Sequence, residues 1–354
     1  MAISSRAARH SESGYEAAAG IQFCMLAASP TIDPVNARNF RERLLNWYLQ
    51  SQRKLPWRGA TDPYHILVSE IMLQQTRVAV VEDRYKKFIM QFPSLERLSR
   101  AREDTVLAAW SGLGYYRRAR ALHQAAKEIV RRGTFPATAP ALMELPGVGR
   151  YTAAAVASIA FGEPVAVVDG NVKRVIERVL NRQAVLASPI SEKHYWDIAE
   201  QLLDRVRPGD FNQAMMELGA LVCLPAQPLC HTCPVVGLCG SRGPTEKAER
   251  PTRRKAFLHY ALARKNGSLL LRQRNKQSSL MPGMWELPEM APHRTDRALP
   301  ILRLRHAITT TDYTVLVYSS AKKAKGDRWV SLHSVHRLPL TGLTRKIIKR
   351  LDDG

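Results

Sequence analysis

The chain has 354 residues, enough for two domains with sizeable cores, and its 45% hydrophobic and 24% charged content excludes a disordered or low-complexity polypeptide. Lys and Arg outnumber Asp and Glu by 53 to 31, and the excess is uneven: residues 241–354 carry 24 basic and 9 acidic groups, residues 1–240 carry 29 and 22. A bias of this size favours a polyanionic partner, most simply nucleic acid. No apolar run approaches the ~20 residues of a membrane span, so no membrane association is expected. Arg6 and Arg9 are followed by Glu12 and Glu16, a pattern wrong for a secretory signal or a transit peptide.

Residues 1–35, rich in Ala, Ser and Arg, read as a flexible leader in which Cys24 is a small apolar side chain. From Asn36 to Gly240 the chain reads as consecutive helices. Asp62-Pro63 is a helix start, a capping oxygen followed by proline at the first helical position, and Ile66, Leu67 and Ile71 supply its apolar stripe. Breaks at Phe92-Pro93, Gly112-Leu113-Gly114, Gly133 to Pro136 and Gly162 separate further helices. Leu145-Pro146-Gly147-Val148-Gly149-Arg150-Tyr151-Thr152 joins a short apolar helix to an alanine-rich one ending at Phe161. Gly147 and Gly149 let the backbone turn tightly, and the N–H groups of the following helix can point at a phosphate without reading sequence. The alternative is a packed helical hairpin whose alanines only permit close approach.

Four of the five cysteines, Cys223, Cys230, Cys233 and Cys239, follow the spacing C-x6-C-x2-C-x5-C. A disulfide framework does not suit a chain of this length with thiols bunched at one place, so metal is the better reading. One C-x2-C pair flanked by longer irregular gaps favours an iron–sulfur cluster over zinc. Residues 241–254, polar and proline-containing, read as a linker. Beyond it Phe257–Arg264 and Ser268–Arg274 flank Asn266-Gly267, a strong hairpin signal; Tyr313–Ser319 alternates as a strand, and a helix closes the chain near Leu343–Leu351. The expectation is an all-α domain at 36–240 followed by a small α+β domain at 255–354.

Two carboxylates stand out. Asp169, in Val165-Ala166-Val167-Val168-Asp169-Gly170-Asn171-Val172, is a helix cap by default, and a carboxylate beside helix N–H donors is also suited to stabilising a cation. Glu70, in Ser69-Glu70-Ile71-Met72-Leu73-Gln74-Gln75-Thr76, is either a surface or salt-bridged glutamate or a buried acid held protonated for general-acid work.

LPGVGRYT, VDGNV, SEIMLQQT, GLGYY and the four-cysteine spacing occur here in an order that resembles the helix-hairpin-helix superfamily of base-excision DNA glycosylases, and within it the MutY adenine-DNA glycosylase branch. The resemblance covers about residues 36–240. It implies a helix-hairpin-helix glycosylase domain holding a [4Fe-4S] cluster on Cys223, Cys230, Cys233 and Cys239, and a monomer acting on double-stranded DNA with adenine opposite 8-oxoguanine or guanine. Endonuclease III relatives carry a Schiff-base lysine where this chain has Tyr151, so the resemblance implies a monofunctional enzyme that leaves an abasic site. It assigns Glu70 as the acid that protonates adenine at N7, Asp169 as the carboxylate facing the sugar C1′, and Asn171 as an orienting amide. Gln213, Trp57 and Arg58 match positions lining the pocket for the extruded base, Gln75 and Tyr115 match wedge residues, and Thr76 and Leu113 lie near the opposite base. Residues 255–354 are similar to the MutT-like domain of this branch, carrying Gly283-Met284-Trp285-Glu286-Leu287-Pro288 but no cluster of glutamates for pyrophosphate hydrolysis. Where the branch has Phe-Ser-His in its lesion-sensing loop, this chain has Ile308-Thr309-Thr310, keeping a hydroxyl at Thr309 and losing the imidazole. Localisation follows as cytoplasmic in a bacterium or nuclear in a eukaryote. The alternatives are an endonuclease III-like pyrimidine or mismatch glycosylase and a noncatalytic iron–sulfur DNA-binding protein.

Overall fold

The computed structural model describes residues 32–180, 190–243, 252–278, 280–291, 299–320 and 323–352. The leader, apart from its last residues, and most of the linker lie outside these, as does Cys24. Eleven helices precede the strands among the described residues: α1 Pro34–Ser51, α2 Pro63–Leu73, α3 Val78–Gln91, α4 Leu95–Ser99, α5 Glu103–Ala109, α6 Arg117–Arg132, α7 Ala139–Met143, α8 Arg150–Phe161, α9 Gly170–Val179, α10 Glu192–Leu202 and α11 Pro208–Leu221. The Asp62 side chain accepts from the Tyr64 N–H at 2.8 Å and starts α2 as expected, while Gly162, at φ +68°, ends α8. Both helices are buried nearly all round, α2 from Ile66 to Met72 and α8 from Thr152 to Ser158, and they pack on each other. Each fully buried Leu or Ile contributes roughly 1.5–3 kcal/mol.

The described residues form two compact units. One draws on residues 1–51, 168–204 and 213–245; the other on 52–167, 205–212 and 246–354. In the second unit, the C-terminal residue Met284 is fully buried in the core that holds Trp110, Phe88 and Leu67. There the Tyr116 hydroxyl donates to the Leu340 carbonyl at 3.2 Å, and Arg120 donates to the Pro282 carbonyl at 2.7 Å. The helices of 52–167 thus take Met284 of the α+β segment into their core, while that segment has a second core of its own around Leu269, Leu271, Val315 and Val317.

The α+β segment contains β1 Arg254–Leu262, β2 Arg264–Lys265, β3 Ser268–Gln273, β4 Trp285–Glu286, β5 Leu302–Ile308, β6 Thr311–Ser319, β7 Asp327–Ser331, α12 Leu332–Val335 and α13 Gly342–Asp352. β1, β6 and β5 form one sheet, with β1 and β6 parallel. β3 centres the second sheet, antiparallel to β2, β4 and β7. The Asn266-Gly267 turn forms as read, with both residues at positive φ. The strand expected over Phe257–Arg264 is instead two strands in two sheets. The Leu262 carbonyl accepts from Ser320 in the first sheet, and the next carbonyl, that of Ala263, accepts from Leu270 in the second. The strand read at Tyr313–Ser319 lies in β6, which forms a hairpin with β5 turning at Thr309-Thr310.

Candidate active site

In the second unit, Leu145–Gly149 connects α7 to α8. Gly147 sits at φ +76°, and a Cβ there would overlap the Cβ of Ala121 on α6, so both the turn and the close approach require glycine. Gly149 occupies the cap position of α8 without a side-chain hydrogen bond, and it is exposed, as are Gly147 and Arg150. A helix N-terminus presented in this way is a site where an anion can dock on backbone N–H groups.

The second residue of that helix reaches the interior. The Tyr151 hydroxyl donates to Glu70 Oε2 at 2.9 Å, and Glu70 is only 5% exposed within α2, where Leu67, Val68, Ile71 and Met72 are all buried. The surface reading of Glu70 is therefore excluded. One turn further along, Gln74 Nε2 donates to Thr152 Oγ1 at 3.0 Å, tying the end of α2 to the start of α8 a second time.

Beyond α2 the chain enters the loop Gln74–Arg77, which Arg118 holds against the loop Gly112–Tyr115. The Arg118 guanidinium donates to the carbonyls of Ile71 and Met72 at 3.0 Å, to that of Gln74, to Leu113 at 2.9 Å and to Thr76 Oγ1 at 3.0 Å. It also lies over the rings of Trp110 and Tyr115, at 5.6 and 5.4 Å. Burial lowers its pKa to about 10, and its acceptors are neutral carbonyls and a hydroxyl. At the tips of the two loops Gln75 and Tyr115 adopt left-handed φ of +55° and +44°, and both are exposed. Two non-glycine residues in that region mark stored strain, which the Arg118 network holds in place. Leu113 departs from the expectation that its side chain borders the opposite base: it is 4% exposed and packs in the core, leaving only its carbonyl to the loop. Trp57 likewise is a core residue, its ring edge-on to Tyr85 at 5.3 Å, and Arg58 beside it is half-buried.

In the first unit the Asp169 carboxylate does cap α9. Its Oδ1 accepts from the Val172 N–H at 2.7 Å, and its Oδ2 from Asn171 Nδ2 at 2.9 Å. The Asn171 Oδ1 in turn accepts from Arg174 at 2.8 Å, and Arg174 donates onward to the carbonyls of Gly219 and Cys223. Gly219 allows this approach of α11 to α9, because a Cβ there would stand 2.6 Å from that of Asn171. Arg178, one turn on, donates to the carbonyls of Leu224 and Pro225 and to Cys223 Sγ at 3.2 Å. The carboxylate and the first cysteine are thereby joined through one helix. Gln213 lies half-buried on α11.

The four thiols are half-buried and unoxidised. Cys233 and Cys239 each feel the charges of Cys223 and Cys230; burial, with those neighbours, pushes Cys233 up to about 11 and raises Cys239. The Gly243 N–H donates to Cys230 Sγ at 3.4 Å. Among the described residues no group of three or more His, Cys, Asp or Glu side chains is arranged to hold a metal ion.

The family that matches residues 68–231 is described as HhH-GPD superfamily base excision DNA repair protein. In fold, a solved thermostable thymine-DNA glycosylase is similar over 58% of this chain and 96% of its own, at 32% identity and a TM-score of 0.54. The chain belongs to the HhH-GPD superfamily of base excision DNA repair proteins. Adenine DNA glycosylase of Rattus norvegicus is 49% identical over 58% of the chain, and that of Arabidopsis thaliana 39% identical over 72%. The matched regions span 42% and 48% of those relatives, so the chain covers about half their length. The HhH-GPD match contains Glu70, Tyr151, Asp169, Asn171 and the first two cysteines of the set, while Trp57, Arg58, Cys233, Cys239 and Thr309 lie beyond it. No helix among the described residues of this HhH-GPD protein is long and apolar enough to cross a membrane.

Sequence reading missed Arg118, Arg174 and Arg178. In a chain this basic, Arg117-Arg118 reads as solvated charge. A signal was present: Arg118 precedes the buried Leu122, Ala125 and Ile129 by four, seven and eleven residues, which places it on the apolar stripe of α6.

Proposed function

We propose that this chain is a monofunctional adenine-DNA glycosylase, which hydrolyses the N-glycosidic bond of adenine opposite 8-oxoguanine or guanine in duplex DNA. What supports this first is the pairing of buried Glu70 with the Tyr151 hydroxyl: an acid shielded from water beside a phenol, with no amine at the position where a lyase needs one. Glu70 delivers a proton to adenine N7 as the C1′–N9 bond breaks, and the electron pair of that bond leaves with the base. Tyr151 orients the Glu70 carboxyl. Asp169, held by the Val172 N–H and by Asn171, stabilises the cationic sugar until water adds to C1′ and releases a proton to solvent, giving an abasic site. The relatives' names support adenine as the base removed. Extruding it costs a few kcal/mol of unstacking. Gln75 and Tyr115, on their strained loops, are proposed as the wedge beside the lesion, with Thr76 at its base. Trp57, Arg58 and Gln213 are proposed at the base pocket, Trp57 by shaping its wall from the core.

The backbone of Gly147–Tyr151 is proposed to grip a phosphate of the same duplex. Cys223, Cys230, Cys233 and Cys239 are proposed to hold a [4Fe-4S] cluster, which supplies structural cross-linking of the 223–239 segment. The chemistry of the donor set supports it: four thiols sharing one neighbourhood repel as thiolates, and a cationic cluster relieves that repulsion. A four-metal cluster also spaces its ligands more widely than a single ion. Iron and labile sulfide at about four of each per chain test that assignment. The 255–354 segment is proposed as a MutT-like region sensing 8-oxoguanine through the exposed turn at Thr309, whose φ of +49° is strained for a β-branched residue.

The deciding experiment is single-turnover adenine release from duplexes with adenine opposite 8-oxoguanine, guanine and thymine, with and without alkali. Alkali-dependent cleavage of the adenine strand, fastest opposite 8-oxoguanine, is the expected result. Cleavage without alkali overturns the monofunctional assignment, and equal rates opposite the two guanines overturn the sensing role of the Thr309 turn.

A further inference from the structure

The sheet β1–β6–β5 has two unlike faces. Tyr260, Leu304, Val315 and Val317 are buried in the C-terminal core, so strand alternation puts Phe257, His259, Arg303 and Arg305 on the other face. Phe257 is 63% exposed, and both arginines are exposed. The register makes this a surface and not a scatter of side chains. Phe257 pairs with Thr314, which pairs with Arg305; His259 pairs with Leu316, which pairs with Arg303. Aromatic rings therefore occupy one edge strand and guanidinium groups the other, two strand spacings away. The rings form a ladder: Phe257 and His259 lie 6.5 Å apart at 34°, and His259 stacks on Tyr318 at 5.9 Å and 8°. The Tyr318 hydroxyl lies 3.4 Å from His259 Nδ1, which steadies the imidazole. At the β5–β6 turn end of the sheet Lys255 is exposed, and the acidic Asp312 is already engaged by Arg253 at 2.7 Å.

We infer that this face binds a single strand of DNA, with a base stacked on exposed Phe257, which half-buried His259 and buried Tyr318 back, and with backbone phosphates on Arg303 and Arg305. An exposed ring offers a π-face that any base can use, and flanking arginines neutralise the backbone at a distance set by the sheet. A duplex keeps its base faces stacked internally and cannot use such a platform, whereas splayed bases can. The charge of the segment fits a polyanion, since residues 241–354 carry 24 basic and 9 acidic groups. The choice of DNA over RNA rests on membership in a DNA-repair superfamily; the platform itself does not depend on the adenine-glycosylase reading.

Fluorescence anisotropy of the full chain with a labelled oligo-dT strand tests the inference, because that probe contains no adenine and no duplex. Phe257→Ala is expected to weaken binding about tenfold, with Phe257→Trp restoring it. Arg303→Gln with Arg305→Gln is expected to lower the slope of log affinity against log salt by about 1.4, the value for two phosphates on a single strand. Adenine release from duplex substrate is expected to stay unchanged in all of these variants. Oligo-dT affinity equal to wild type in both Phe257→Ala and the double arginine variant overturns the inference. So does a concentration-dependent dimer that Phe257→Ala abolishes, which would make the face a contact between copies.

Discussion

Glu70 and Asp169 carry the same functional group and receive opposite treatment from their two units. Glu70 sits mid-helix, 5% exposed, amid the apolar side chains of α2, and takes a hydroxyl from Tyr151. Asp169 stands half-buried at a helix start and takes two N–H donors, from Val172 and Asn171. Apolar burial penalises a negative charge, and N–H donors support it. The comparison teaches that the elements carrying two carboxylates give them unlike surroundings, a helix interior in one case and a helix cap in the other; in the proposed function the first serves as proton donor and the second as cation stabiliser. The supports differ as well: Glu70 is positioned through contacts between α2 and α8, Asp169 through a chain of hydrogen bonds along α9 to the cysteine segment.

The sharpest way to break the comparison is to remove each function without its scaffold. Glu70→Gln keeps size and packing but cannot donate a carboxylic proton, and single-turnover adenine release is expected to fall by about 10²–10⁴-fold with duplex affinity retained. Asp169→Asn is expected to lose a comparable factor at a cost in thermal stability of about 1–2 kcal/mol, because asparagine keeps the cap on the Val172 N–H but sets its NH2 against that of Asn171, whose oxygen Arg174 holds. A large stability loss in Asp169→Asn would mean that the residue is structural in the main. Arg118→Met removes donors from six oxygens, two at the end of α2 and four in the two loops. It is expected to destabilise the protein by about 2–4 kcal/mol in denaturant unfolding, and to reduce discrimination between opposite bases before it reduces the rate of the chemical step.

Gly147→Ala tests the hairpin. It combines a positive φ with an overlap against Ala121 and is expected to cost about 1–3 kcal/mol in thermal unfolding. Tyr151→Phe has the smallest effect. It removes one hydroxyl from Glu70 and is expected to slow adenine release by about 3–10-fold, with a displaced pH profile and no gain of alkali-independent strand cleavage. An unchanged pH profile would show that the 2.9 Å contact does not tune the acid.

Local chemistry was legible in the sequence. Asp62 followed by proline starts a helix, glycine at 162 ends one, Asn266-Gly267 turns a hairpin, and Asp169 caps α9, because each outcome depends on groups within a few residues of one another. At position 151 a phenol cannot form the imine that a lysine would, whatever the fold. The tertiary structure alone decided the rest. It buried Glu70 where a surface position was equally open, and it withdrew Leu113 and Trp57 into the core. The switch between sheets at Leu262 and Ala263 depends on partners at Ser320 and Leu270. The left-handed backbone of Gln75 and Tyr115 depends on Arg118, more than forty residues from the first and next but two to the second. Gly147 is required by Ala121, and Gly219 by Asn171. Contacts of this kind join segments far apart in the chain, and periodicity and capping rules, which act within a few turns, carry no information about them.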